Sequence, residues 1–274
     1  MKTYYIKKMD KLRIRKIKFE QNNCEIYIKK DKEIKKIIKK FQKRDINYVV
    51  LDKELVKNKN FINALNANDI RIFDGRWLIK YLNLEILEYI IENSNLKKEE
   101  IELAITTDEI SDLVIENIKI LAKQYKKLIV VTSHIEKLRK IEKQIYEKEG
   151  IMIVISNNTK KSLLKSKIII NMDFNKQKIN KYKINENAII INLEGDIKIE
   201  NKRFNGININ DYEIQIGREE TIWRESQDKF YNKDLFESII YVRDTYNNIR
   251  KMIKKNKVQI KELYGLNGKI ERFS

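Results

Sequence analysis

Lys127-Leu-Ile-Val-Val-Thr-Ser-His-Ile-Glu-Lys137 is the stretch whose reading decides the fold. Its four apolar residues, Leu128 to Val131, run without alternation, as a strand does when both faces of a parallel sheet are covered. Ser133 then opens a helix, and Glu136 three residues later gives capping-box spacing. Ile135, Leu138, Ile141 and Ile145 recur at helical period, and Gly150 stands where a left-handed C-terminal cap is expected.

The same strand–helix alternation extends on both sides. Residues 101–106 read as a strand, and 109–124 as a helix burying Ile110, Val114, Ile118 and Leu121. Downstream, 151–155 is a strand, 159–164 a short helix, 168–170 and 188–191 two further strands, and 212–216 an edge strand. Strands separated by helices demand right-handed crossovers and a mostly parallel sheet.

The first 95 residues read as a smaller α/β domain. Residues 12–19 and 24–29 form a strand pair turning at Asn22-Asn23, followed by an amphipathic helix over 31–44 with Ile34, Ile37, Ile38 and Phe41 on one face. Strands at 48–51 and 70–73 and helices at 54–65 and 77–92 complete it. The polar break Asn93-Ser94-Asn95 marks the expected boundary, giving domains 1–95 and 96–217, with C-terminal helices (219–230 and 234–258) filling 218–274. The expected fold class is therefore α/β: a Rossmann-like, mostly parallel sheet, preceded by a small α/β domain and followed by helices.

Residues 127–193 carry a resemblance. Lys127-Leu-Ile-Val-Val-Thr-Ser-His134, the run from Gly150 to Thr159, Ser166-Lys-Ile-Ile-Ile-Asn-Met-Asp173 and Ala188-Ile-Ile-Ile-Asn-Leu193 resemble the nucleotide-binding half of two-domain dehydrogenases of the shikimate dehydrogenase and glutamyl-tRNA reductase type. The resemblance implies a preceding substrate domain and NAD(P) as cofactor. That family turns from strand to helix through G-x-G-x-x-G/A, whose glycines admit a pyrophosphate to the helix N-terminus. Aligned on 127–134, the turn here reads Thr132-Ser-His-Ile-Glu-Lys137, with no glycine between Gly75 and Gly150. Ser156-Asn157-Asn158 stands where the ribose-binding acid is expected, and the catalytic Lys and Asp of the family cannot be placed. The expectation is a shared fold without the cofactor chemistry, so no cofactor is assigned and NAD(P) is disfavoured.

Composition removes other chemistries. One histidine, His134, and one cysteine, Cys24, exclude His-rich or thiolate zinc sites, and no metal is expected. There is no Walker A loop and no G-x-S-x-G elbow. Tyr4 and Lys8 have the Y-x-x-x-K spacing of short-chain reductases, but they precede the Rossmann-like region. A single cysteine forms no internal disulfide, no apolar run reaches the roughly 20 residues of a membrane span, and the first residues have no signal-peptide pattern, so a cytoplasmic location is expected.

In a doubly wound sheet the carboxyl ends of the strands share one edge, and ligands bind there. That edge gathers Ser133, His134, Asn157, Asn158, Asp173 and Glu194, with Thr107, Asp108, Asn171 and Asp196 nearby. These are the candidate ligand-binding residues; no catalytic residue is named. Strand-to-helix loops also need polar caps whatever their function, so both explanations stand.

The net charge of +18 is unevenly spread: residues 1–60 hold 20 Lys and Arg against 8 Asp and Glu. The helix 29–44 alone carries nine basic residues, a surface for nucleic-acid phosphates, although proline absence and heavy Lys, Ile and Asn use also fit a compositional bias. The sequence thus favours a non-catalytic or degenerate Rossmann-like protein binding a small ligand or a protein partner. An NAD(P)-dependent oxidoreductase with an atypical loop, and a nucleic-acid binder acting through its basic N-terminal region, are the alternatives.

Overall fold

Ile34, Ile37, Ile38 and Phe41 recur at helical spacing, and they press one face of helix α1 (Asp31–Gln42) onto a sheet through Ile6, Ile26, Val49 and Leu51. The computed structural model describes residues 2–9, 16–217, 229–241 and 245–273. The chain divides into two units, Met1–Trp77 with Gln215–Val258, and Leu78–Ile214 with Gln259–Ser274.

In the first unit the strands are β1 (Thr3–Lys8), β2 (Ile17–Glu20), β3 (Asn23–Ile26), β4 (Tyr48–Leu51) and β5 (Arg71–Phe73), in the order β2-β3-β1-β4-β5. Only β2 is antiparallel; Glu20 pairs with Asn23, so the hairpin turns at Gln21-Asn22, one residue earlier than expected, with Gln21 at φ 51°. The central strand β1 is not among the expected elements, yet Tyr4 and Ile6 are buried at alternating positions. Helix α2 is shorter than expected, Lys59–Asn66, and is capped by Asn58, whose side chain accepts the Phe61 N–H at 3.0 Å. Glu33 closes the start of α1 by accepting the N–H groups of Lys29 (2.6 Å) and Lys30 (3.2 Å), and it pairs with Lys16. Two helices, Asn232–Ile240 and Tyr246–Lys255, replace the single one expected over 234–258. Most of the helix expected at 219–230 lies outside the described residues.

The second unit holds helix α3 (Asn83–Glu92), preceded by a 3-10 turn at Leu78–Tyr81, and then the expected alternation, to which the short helix Lys176–Ile179 and the strand Ile207–Ile209 are unexpected additions. Its elements are β6 (Glu102–Thr106), α4 (Asp112–Gln124), β7 (Lys127–Val131), α5 (Ile135–Glu149), β8 (Val154–Ser156), β9 (Ile168–Asn171), α6 (Lys176–Ile179), β10 (Ile189–Asn192) and β11 (Ile207–Ile209). All six strands are parallel in the order β11-β10-β9-β6-β7-β8. Counted from β6, this is the order 3-2-1-4-5-6 of the doubly wound sheet. Strands β9 and β10 are buried along their whole length, which explains their unbroken Ile-Ile-Ile runs.

Three local expectations change. Residues 159–164 form turns and not a helix: the Asn158 side chain starts a turn by accepting the N–H groups of Lys160 (2.9 Å) and Lys161 (3.1 Å), but Leu163 then bridges to Ile184 and gives its carbonyl to the Asn185 N–H at 3.2 Å. The capping box at the start of α5 does not form. His134 holds the cap position without a side-chain bond, because the Ser133 hydroxyl is engaged elsewhere. The chain ends in strands and not helices: Val258–Gly265 and Gly268–Lys269 form a hairpin in a three-stranded sheet with Asp211–Ile216. Gly150 does adopt the left-handed cap of α5, at φ 68°.

Candidate functional site

The order 3-2-1-4-5-6 puts the topological switch point between β6 and β9, where ligands of doubly wound sheets bind. The loop that matters is therefore the one after β6, Thr107-Asp108-Glu109-Ile110-Ser111, and not Thr132–Lys137, which follows the second strand. Alignment of the family's turn on 127–134 thus falls one strand late. Like its neighbour, the true switch-point loop contains no glycine.

This loop is satisfied from within the chain. Asp173, just past β9, accepts the Asp108 N–H at 2.8 Å (Oδ1) and 2.9 Å (Oδ2), and its Oδ2 takes the Glu109 N–H at 2.5 Å and the Thr107 hydroxyl at 3.0 Å. The Asp108 carboxylate in turn accepts the Ser133 N–H at 2.8 Å and pairs with Lys178. Lys178 Nζ also donates to Ser133 Oγ at 2.7 Å and lies over the Phe174 ring at 4.1 Å. Partial burial would raise the Asp108 pKa, but the hydrogen bonds from Lys178 and Ser133 outweigh it and hold the carboxyl below its ordinary value.

Two chemical consequences follow. The backbone donors that would meet a pyrophosphate already hold a carboxylate, and the Asp108 carboxylate stands beside them, so the residues present do not fit a dinucleotide bound at this loop. The Ser133 hydroxyl receives a hydrogen bond from Lys178 and faces the Asp108 carboxylate, which Lys178 and the Ser133 N–H hold below its ordinary pKa, so that carboxylate is a poor base for activating the hydroxyl.

Beside the switch point runs a buried polar ladder. Thr106 Oγ1 donates to Asn171 Oδ1 at 2.7 Å, Asn171 Nδ2 to Asn192 Oδ1 at 3.2 Å, and Asn192 Nδ2 to Asn210 Oδ1 at 2.8 Å. Asn171 also bonds the N–H and the carbonyl of Phe174 at 3.0 Å and 2.9 Å. Each ladder residue ends its strand or follows it, so the chain of bonds crosses β6, β9, β10 and β11. The repeated Ile-Ile-Ile-Asn at 168–171 and 189–192 is the sequence signal for this ladder.

Of the sequence-predicted residues, Ser133 and Asp173 enter the network around Asp108. The others stand apart. His134 is exposed, and its ring has no hydrogen-bond partner among the described residues. Asn157 is exposed, Asn158 caps its own turn, and Glu194 pairs with Lys80. Lys178, Thr106, Asn192 and Asn210 join the network or the ladder without having been expected there. Among the described residues no group of three or more His, Cys, Asp or Glu is placed to hold a metal, and no helix is long and apolar enough to cross a membrane. Burial pushes the lone Cys24 thiol up to about 12, well away from a reactive thiolate.

The first unit contributes a separate feature. A cavity of about 500 Å³ lies where β1 and β4 end, lined by Lys8, Lys57, Lys59, Glu54 and Asn58 among others. Glu54 is shared between Lys57 at 2.9 Å and Lys8 at 3.7 Å, and Lys59 has no ion-pair partner among the described residues, so the lining is cationic on balance.

The strand order and switch point define a Rossmann-like α/β protein. No protein-family model matches the chain, and no curated protein matches it. A solved structure described as a shikimate 5-dehydrogenase-like protein is similar over 93% of this chain and 97% of that one, at 10% identity and a TM-score of 0.32. The class rests on the strand order and not on that likeness.

Proposed function

We propose that this chain is a non-catalytic, Rossmann-like binding protein whose switch point has been given over to structure. The observation that carries the reading is the Asp173 carboxylate seated on the N–H groups of Asp108 and Glu109, where this fold otherwise receives a phosphate. The ligand we assign is small and anionic, taken by the cationic cavity of the first unit around Lys8, Lys57 and Lys59. The cytoplasm is the proposed setting, in keeping with a single, buried cysteine.

The test is a fluorescence titration with NADH and NADPH beside a thermal-shift panel of small phosphates and carboxylates. A ligand that binds only the folded state raises the midpoint. The expected result is no stoichiometric dinucleotide binding, and a midpoint increase with an anionic metabolite that the Lys57→Ala and Lys59→Ala changes abolish. Tight, saturable NAD(P)H binding would restore the oxidoreductase reading and end this one.

A further inference from the structure

Helix α1 presents an unneutralised cationic face. Lys32, Lys35, Lys36, Lys39, Lys40 and Lys43 are all exposed, and none has an ion-pair partner among the described residues. The acids of the same helix are already engaged: Glu33 is buried against Lys16 and the Lys29 and Lys30 amides, and Asp31 accepts from Asn60 at 3.2 Å. Elsewhere the chain does pair its lysines, as in Lys119–Glu116 at 2.8 Å and Lys176–Glu200 at 2.7 Å. Lys32, Lys36, Lys39 and Lys43 follow one another at intervals of four, three and four residues, forming a row about 16 Å long at 1.5 Å per residue.

We infer that this face is a docking surface for the sugar–phosphate backbone of a nucleic acid, bound without sequence readout. The face offers charge and almost nothing else, which suits phosphates, since they need cations without base-reading groups. A protein partner would want an apolar centre, and here the apolar residues Ile34, Ile37, Ile38 and Phe41 are buried in the unit's own core. The same burial leaves no apolar face on this helix to insert into a membrane. This inference is independent of the dinucleotide question and of the cavity.

The experiment is fluorescence anisotropy of the full chain with a short labelled duplex of mixed sequence and with its single strands, at several salt concentrations. Two charge-matched variants accompany it. One carries Lys32→Gln, Lys36→Gln, Lys39→Gln and Lys43→Gln; the other carries Lys137→Gln, Lys140→Gln, Lys143→Gln and Lys148→Gln on exposed positions of α5. Circular dichroism confirms that both fold. Four phosphate contacts predict that affinity falls about 100-fold between roughly 50 and 200 mM salt. The first variant is expected to bind at least tenfold more weakly with a flatter salt dependence, and the second to bind like the parent. Absence of binding at low salt, equal loss in both variants, or binding only to phosphatidylcholine vesicles containing phosphatidylserine would each overturn the assignment.

Discussion

Asp173 and Asp108 are 65 residues apart in the chain, yet the Asp173 carboxylate holds the Asp108 backbone N–H through both oxygens, at 2.8 and 2.9 Å. The Asp108 side chain passes the link on to Ser133 and Lys178, so the loops after β6, β7 and β9 are tied at one edge of the sheet.

Replacing Asp173 with Ala removes the acceptor of the Asp108 and Glu109 N–H groups, while the Thr107 hydroxyl keeps the Glu109 carbonyl at 2.8 Å. Hydrogen bonds to a charged acceptor contribute about 1.5–3 kcal/mol, and a loss of about 2 kcal/mol is expected in urea unfolding. Asp173→Asn, which keeps an acceptor of the same shape, should lose less.

The asparagine ladder gives a larger effect. Asn171→Leu leaves Thr106, Asn192 and the backbone of Phe174 without their partner, all at buried positions. Each orphaned buried group costs about 1–3 kcal/mol, so a total of at least about 3 kcal/mol is expected. A double-mutant cycle pairing this change with Asn192→Leu should show coupling, because the two share one bond.

Two glycines separate backbone strain from collision. Gly150 has φ 68°, and a Cβ added there would meet nothing within 4 Å, so Gly150→Ala should cost only the left-handed penalty of about 1 kcal/mol. At Gly206 the added Cβ would stand 2.1 Å from the Ala188 carbonyl oxygen, so backbone must move. Thermal unfolding should therefore rank Gly206→Ala well below Gly150→Ala.

Acid should weaken the first unit through Glu33. Hydrogen bonds from Lys16, Lys29 and Lys30 lower its pKa from an ordinary 4.5 to about 2. A depressed carboxyl stabilises the fold above its unfolded pKa and loses that contribution as pH falls through the folded one. The loss is thus expected between about pH 4.5 and 2, and Glu33→Gln should flatten the pH dependence of the unfolding midpoint over that window.

Much of the architecture is legible because it depends on neighbours in sequence. Unbroken apolar runs mark β6, β7, β9 and β10, the helical stripe marks α1, and Gly150 marks the end of α5. The elements that escape such a reading carry conflicting local signals. In β1, tyrosines and lysines obscure the alternation that buries Tyr4 and Ile6, and the strand Val258–Gly265 begins where a lysine-rich helical pattern still runs.

What the sequence by itself determined was the α/β class, the strand–helix succession from β6 to β8 and the absence of glycine at any phosphate-binding turn, since each is a property of adjacent residues. Only the tertiary structure decided which turn lies at the switch point, because strand order is set by long-range pairing. It also decided the fate of Ser133. The local capping box competes with the Ser133 N–H bond to Asp108 and the Lys178 bond to its hydroxyl, and the distant charged partners win. A capping bond needs only the next turn of helix, whereas the bonds at this edge exist only once β6, β7 and β9 lie side by side.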